Sequence, residues 1–173
     1  MTATALAAVG SNANENGTLL ISGTAVTASG TSVDFTGIPS WVKRITVMIN
    51  SLSTNGSSIP QIQLGTSSGV ATTGYSGHAA AINSGTGQAG VTSGHIINSG
   101  SSAPSGFCGH VVFTNINSNN WVGSGLVLNT LASGAMAMSA SIVGLSGTLD
   151  RVRITTVNGT DTFDAGVINL LWE

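Results

Sequence analysis

The run WVKRITVMI, residues 41–49, decides the fold class. Ile45, Val47 and Ile49 alternate with Arg44, Thr46 and Met48, and a two-residue period puts these two sets on opposite faces of a β-strand. Comparable runs follow on either side of it: TLLISGTAVTA (18–28), SVDF (32–35), IPQIQL (59–64), GHAAAI (77–82), GHIIN (94–98) and CGHVVFTNI (108–116). WVGSGLVLNTL (121–131), AMAMSASIVGL (135–145), DRVRITTV (150–157) and GVINLLW (166–172) complete the series. Clusters of Gly, Ser and Asn separate these runs, and Pro60 stands near the start of its run, where a strand tolerates proline. Asn55-Gly56 and Asn158-Gly159 are the dipeptide preferred in two-residue hairpin turns. The pattern predicts an all-β protein, a β-sandwich of jelly-roll-like topology over residues 18–173. Residues 1–17, Ala/Asn-rich and without periodicity, read as an N-terminal attachment arm, and the Gly/Ser-rich stretch Thr66–Gly106 reads as exposed loops.

Composition narrows the function classes. Charged residues are 6% of the 173-residue chain, against roughly 25% in an ordinary soluble domain. Hydrophobic residues at 41% exclude the low-hydrophobicity signature of disorder. A formal net charge of -2 offers no basic field for phosphates, so a nucleic-acid partner is not expected. Apolar runs such as INLLW fall far short of the ~20 residues of a membrane helix, and MTATALAAVG lacks the basic n-region of a signal peptide. One cysteine, Cys108, cannot form an internal disulfide, which suits assembly in a reducing cytoplasm. With so little charge to guard its sheet edges, the chain is expected to associate permanently with neighbours.

What charge exists is placed unevenly. Six of the ten charged side chains fall in LDRVRITTVNGTDTFDAGVINLLWE (149–173), and none lies between Ile45 and Leu149. Counting outward from an Asn158-Gly159 hairpin turn sets Ile154 against Phe163 and Arg153 against Asp164. An opposite-charge pair across a ladder contributes roughly 0.2–1 kcal/mol and breaks when the register slips. Arg153 and Asp164 therefore read as a structural register pair. The alternatives are catalytic carboxylates, which need a cleft, and a cation at DTFD (161–164), which needs more oxygen ligands than Asp161 and Asp164 supply.

The remaining chemistry-bearing residues are sparse. His78, His95 and His110, with Cys108, match no zinc-ligand spacing, although one histidine per chain could meet its copies on a threefold axis. Cys108-Gly-His110 implies no activating partner for a nucleophile. No Gly-x-Ser-x-Gly elbow, phosphate loop or His-Glu-x-x-His occurs. The expectation is a non-enzyme without metal or cofactor. Trp41, Trp121 and Trp172 read as core or interface anchors. Trp121 and Tyr75, beside polar loops, are the better stacking platforms; with His78, His95 and Asn119 they form the candidate receptor-contact set.

VDFTGIPSWVKRITVMINSLSTNGSS (33–58) and SGTLDRVRITTVNGTDTFDAGVINLLWE (146–173) resemble a recurrent module of tailed-phage and prophage virion proteins, often the C-terminal part of tail fibres. These segments cover under a third of the chain, and the stretch between them carries no matching motif. The resemblance implies a β-rich, homotrimeric virion appendage without catalysis or cofactor, made and assembled in the host bacterial cytoplasm. Its partners would be other virion proteins, reached through the arm, and a glycan or protein of the host surface, reached through the loops of Thr66–Gly106 and Asn115–Trp121. No membrane insertion is implied. Fibre modules usually follow a long shaft, and here only the short arm precedes the domain, so a capsid decoration or cement protein is the alternative.

Overall fold

In the computed structural model of the chain, residues 20–82, 86–131 and 135–173 are described. They form fourteen strands, and no helix occurs among them. The larger sheet runs in the order β1 (Ile21–Ser22), β14 (Phe163–Trp172), β4 (Arg44–Thr54), β10 (Phe107–Asn117), β11 (Asn120–Asn129), β12 (Ala135–Gly144), β7 (Ser76–Ile82) and β8 (Thr86–Val91). A further short strand, β2 (Val26–Thr27), also pairs with β14. The smaller sheet orders β3 (Ser32–Thr36), β13 (Arg151–Thr156), β5 (Pro60–Thr66) and β6 (Gly69–Val70), with β9 (His95–Ile96) beside β5. The protein is the expected β-sandwich. The attachment arm, residues 1–17, lies outside the described residues.

The alternation read in residues 41–49 holds: Ile45, Val47 and Ile49 are buried, and Arg44, Thr46 and Met48 are not. Facing them from the smaller sheet, Ile62, Leu64, Val152 and Ile154 bury their side chains in the same core. Fully burying one such aliphatic side chain is worth roughly 1.5–3 kcal/mol, so this face dominates the stability of the sandwich.

One long ribbon bends from the larger sheet into the smaller. β14 runs antiparallel to β4 from Trp172↔Ile45 to Phe163↔Thr54, and β13 runs antiparallel to β5 from Thr156↔Pro60 to Arg151↔Gly65. Between these halves Asn55 N donates to Thr162 O at 3.0 Å and Val157 N to Ile59 O at 3.0 Å. The two strands thus stay paired while bending from one sheet to the other. Register slips in both strands ease the bend, with Ser51 at φ 53° and Gly166 at φ 110°. A Cβ on Gly166 would meet the Leu52 backbone, so glycine is required there.

This ribbon overturns three expectations. Asn158-Gly159 does not close a hairpin, because β13 and β14 belong to different sheets. Ile154 and Phe163 still meet the core, one from each sheet. Asn55-Gly56 is likewise a corner between β4 and β5, not a two-residue hairpin. The stretch Thr66–Gly106 is not chiefly exposed loop: it supplies β6 to β9, and several of its side chains are buried.

Candidate functional site

The closing segment forms a polar corner instead of an Arg153–Asp164 pair. Arg153 stands opposite Asp34 across the β13–β3 ladder. Its Nε donates to Asp34 Oδ1 at 2.7 Å and its Nη2 to Oδ2 at 2.9 Å. Asp164, on the larger sheet, instead accepts from Ser53 Oγ. The register-locking role proposed for the arginine thus has a different carboxylate as its partner, because β13 takes β3 and β5 as neighbours. At the bend, Asp161 accepts from Asn158 Nδ2 at 2.7 Å and from Ser58 N at 2.8 Å. Those bonds, the Asn158 side chain first, hold its carboxyl below the usual carboxylate range. A Cβ on Gly56 would collide with the Asp161 carboxylate. Both Asn-Gly dipeptides therefore pack on the Asp161 carboxylate, which is engaged structurally.

The five candidate receptor residues are not brought together. Tyr75 is buried, and its hydroxyl receives Leu64 N at 2.7 Å, completing the edge of β5 between β6 and β9. Burial pushes the phenol pKa well above its ordinary value. Trp121 is a buried core residue. His95 lies inside the sandwich with Nδ1 2.7 Å from Ser141 Oγ and Nε2 2.8 Å from Ser139 Oγ. Its ring meets Phe113 edge-on at 5.2 Å. A Cβ on Gly123 would come within 2.6 Å of Phe113 and 2.9 Å of His95, so the missing side chain makes room for both rings. Burial lowers the His95 pKa to about 4, and the ring is neutral at pH 7.

Only His78 and Asn119 keep surface access, and they sit apart. His78 lies on the outer face of β7, opposite Ala140. Asn119 is in the tight β10–β11 turn, where Asn115 Nδ2 donates to Ser118 O and Asn120 O, each at 3.1 Å. The two loop stretches also separate. The β10–β11 turn shares an end of the sandwich with the entry strand β1, whose Ile21 pairs with Trp172. The loop before β10 lies at the opposite end, where Thr130 N donates to Gly106 O at 2.8 Å.

Catalytic and metal chemistry find no assembled site among the described residues. His95 with Ser139 and Ser141 has the residue types of a base and a nucleophile. Both ring nitrogens, however, are taken by the two buried hydroxyls, and no carboxylate remains to orient the ring. No group of three His, Cys, Asp or Glu side chains is placed to hold a metal ion among the described residues. Cys108, half-buried, accepts from Ser51 N at 3.2 Å. A polar cleft of about 310 Å3 crosses the outer face of the smaller sheet beside Arg153 and Thr155. Its groups are largely bonded within the chain: Ser93 Oγ donates to Gln61 at 2.9 Å, Gln63 Nε2 to Ser93 O at 2.8 Å, and Thr155 Oγ1 to Thr31 O at 2.8 Å.

The feature missed in sequence is the outer face of the larger sheet. On β12 the side chains of Ala135, Ala137, Ser139 and Ser141 point inward, and those of Met136, Met138, Ala140 and Ile142 point out. Leu126 and Leu128 on β11 and Ile82 on β7 join them, and these five large apolar side chains with Ile142 are 45–53% exposed. The alternation of AMAMSASIVG was legible, but which parity faces the core was not. No helix of the described residues is long and apolar enough to cross a membrane. No protein-family model, no curated protein and no solved structure matches the chain, so its own residues must carry the functional reading.

Proposed function

We propose that this chain is a structural protein of a tailed-phage virion, of tail-fibre or tail-tip type, that assembles with itself and acts without catalysis. One observation carries the reading. Val33–Ser58 and Ser146–Glu173, the two segments that resemble virion modules, are distant in sequence yet form one unit: β3 pairs with β13, and β4 with β14. A frame whose two halves meet in space is what a shared module requires, and the intervening strands are the part free to vary. The arm would attach to other virion proteins at the β1 end. The opposite end, with the loop before β10 and the end of β11, would then face the host surface, where Ser and Asn groups can bond glycan or protein.

A capsid-decoration role draws on a different observation, the broad uncharged apolar sheet face, which suits permanent burial against a lattice. Cryo-EM of particles from the producing strain separates the two. Density at the tail tip, with adsorption lost when residues 99–105 are replaced by a short Gly/Ser linker, supports the fibre reading. Copies across the capsid support decoration, and absence of the protein from purified particles overturns both.

A further inference from the structure

We propose that the outer face of β10, β11, β12 and β7 is the surface through which copies of this chain pack on one another. The inference concerns how copies meet and stands whether or not the virion reading does. Its ground is an inversion of the usual packing. In the core beneath β10 and β4, large side chains such as Phe107, Phe113 and Leu52 point inward. On the β7–β12 side the inner face holds Ala79, Ala81, Ala135 and Ala137 with the two serines, and the large side chains point out. Large apolar patches exposed on a soluble protein mark interaction surfaces.

The register arranges these side chains in ranks. Leu128, Met136 and Ile82 lie side by side across three strands, and Leu126, Met138 and Ala80 form the next rank. The following rank is Ser124, Ala140 and His78, smaller across β11 and β12, and beyond it Val122 and Ile142 rise again. The face is thus a ridge beside a shallow trough, neither holding a Lys, Arg, Asp or Glu, and in the proposed contact the ridge of one copy would lie in the trough of another.

Three further points favour a second copy as the occupant. Between Ile45 and Leu149 the chain has no Lys, Arg, Asp or Glu, so identical faces meet without like-charge repulsion. The same absence leaves no cation for anionic lipid headgroups and no charged group to select a charged protein partner. The four strands, spaced about 4.8 Å and up to about 30 Å long, present roughly 600 Å2. That is about three quarters of the roughly 800 Å2 per partner of a standard stable interface.

Sedimentation of the full chain tests the proposal. The wild type should run as an oligomer at micromolar concentration. Leu126→Lys with Met138→Lys places charge on outward-facing positions and should convert it to monomer, with at least a tenfold weaker association. Unchanged far-UV circular dichroism and a cooperative melt would show that the monomer is folded. Ser124→Lys, on the same face but replacing no apolar group, should weaken association in the same direction. Thr36→Lys, on the edge strand β3, should leave it intact. A wild type that stays monomeric at 100 micromolar (a ceiling of roughly the Kd range of weak contacts) would overturn the proposal. So would an oligomer that survives both face variants, or one that is lost only when residues 1–17 are removed.

Discussion

The bent ribbon and the β7–β12 wing are built from the same kind of strand and solve burial in opposite ways. In the ribbon, β4 and β14 turn Ile45, Val47, Ile168 and Leu170 into the core, and the corner is tied by Asp161 and the two Asn-Gly dipeptides. The wing has small side chains inside, Met and Leu outside, and no charge at all. The ribbon is complete within one chain. The wing is left with apolar surface that only another surface can remove from water. Alternation alone therefore does not say where the core is: the side with the larger residues faced inward in one region and outward in the other.

The sharpest way to break this contrast is to truncate one large side chain in each region. Phe113→Ala should lose roughly 3–5 kcal/mol of unfolding free energy, as for other buried aromatic truncations. Met138→Ala, at a concentration low enough to keep the chain monomeric, should change it by no more than roughly 0.5 kcal/mol, as for other surface positions. Urea titration of both variants measures the difference; equal losses would mean that Met138 is a core residue of the single chain.

Acid probes the seam between the regions, where His95 of β9 meets the serines of β12. The folded state holds its pKa at about 4, below the ordinary 6.5. Between these values the unfolded chain takes up a proton that the folded chain refuses. Stability is therefore intact above about pH 6.5 and falls as the pH drops toward 4, by up to about 3 kcal/mol. His95→Gln should remove that component, so its stability should decline less than the wild type between pH 6.5 and 4.5. Parallel declines would show that the imidazole is not shielded as the fold implies.

The smallest effect sharpens the ribbon itself. A double-mutant cycle of Arg153→Gln with Asp34→Asn should show a coupling of roughly 0.2–1 kcal/mol, the range of half-exposed cross-strand pairs. The cycle of Arg153→Gln with Asp164→Asn should show none. Coupling to Asp164 would restore the hairpin that the sheet topology replaces.

Strand positions and the alternation within them were legible because they depend on near neighbours. Every run quoted from 18 to 172 contains a strand or part of one, and Pro60 opens β5. The partners of those strands were not legible. Asn-Gly serves a hairpin turn and a corner between sheets equally well, since both need only a tight local bend. Whether β13 then folds back on β14 or crosses to the other sheet depends on β3, β4 and β5, far earlier in the chain; Arg44 at the start of β4 meets Glu173 from 129 positions away. The candidate site failed for the same reason. Tyr75, His95 and Trp121 neighbour polar residues in sequence, but β5, β12 and the core close over them.

By itself, then, the sequence determined an all-β chain with little charge, the places of its strands, and the two faces of each strand. Those follow from side-chain volume, hydration and a two-residue period, all local quantities. Tertiary structure decided which face became core, which carboxylate met Arg153, and which histidine was buried. These are outcomes of long-range pairing, where the gain from joining distant strands exceeds the entropy lost in closing the loops between them.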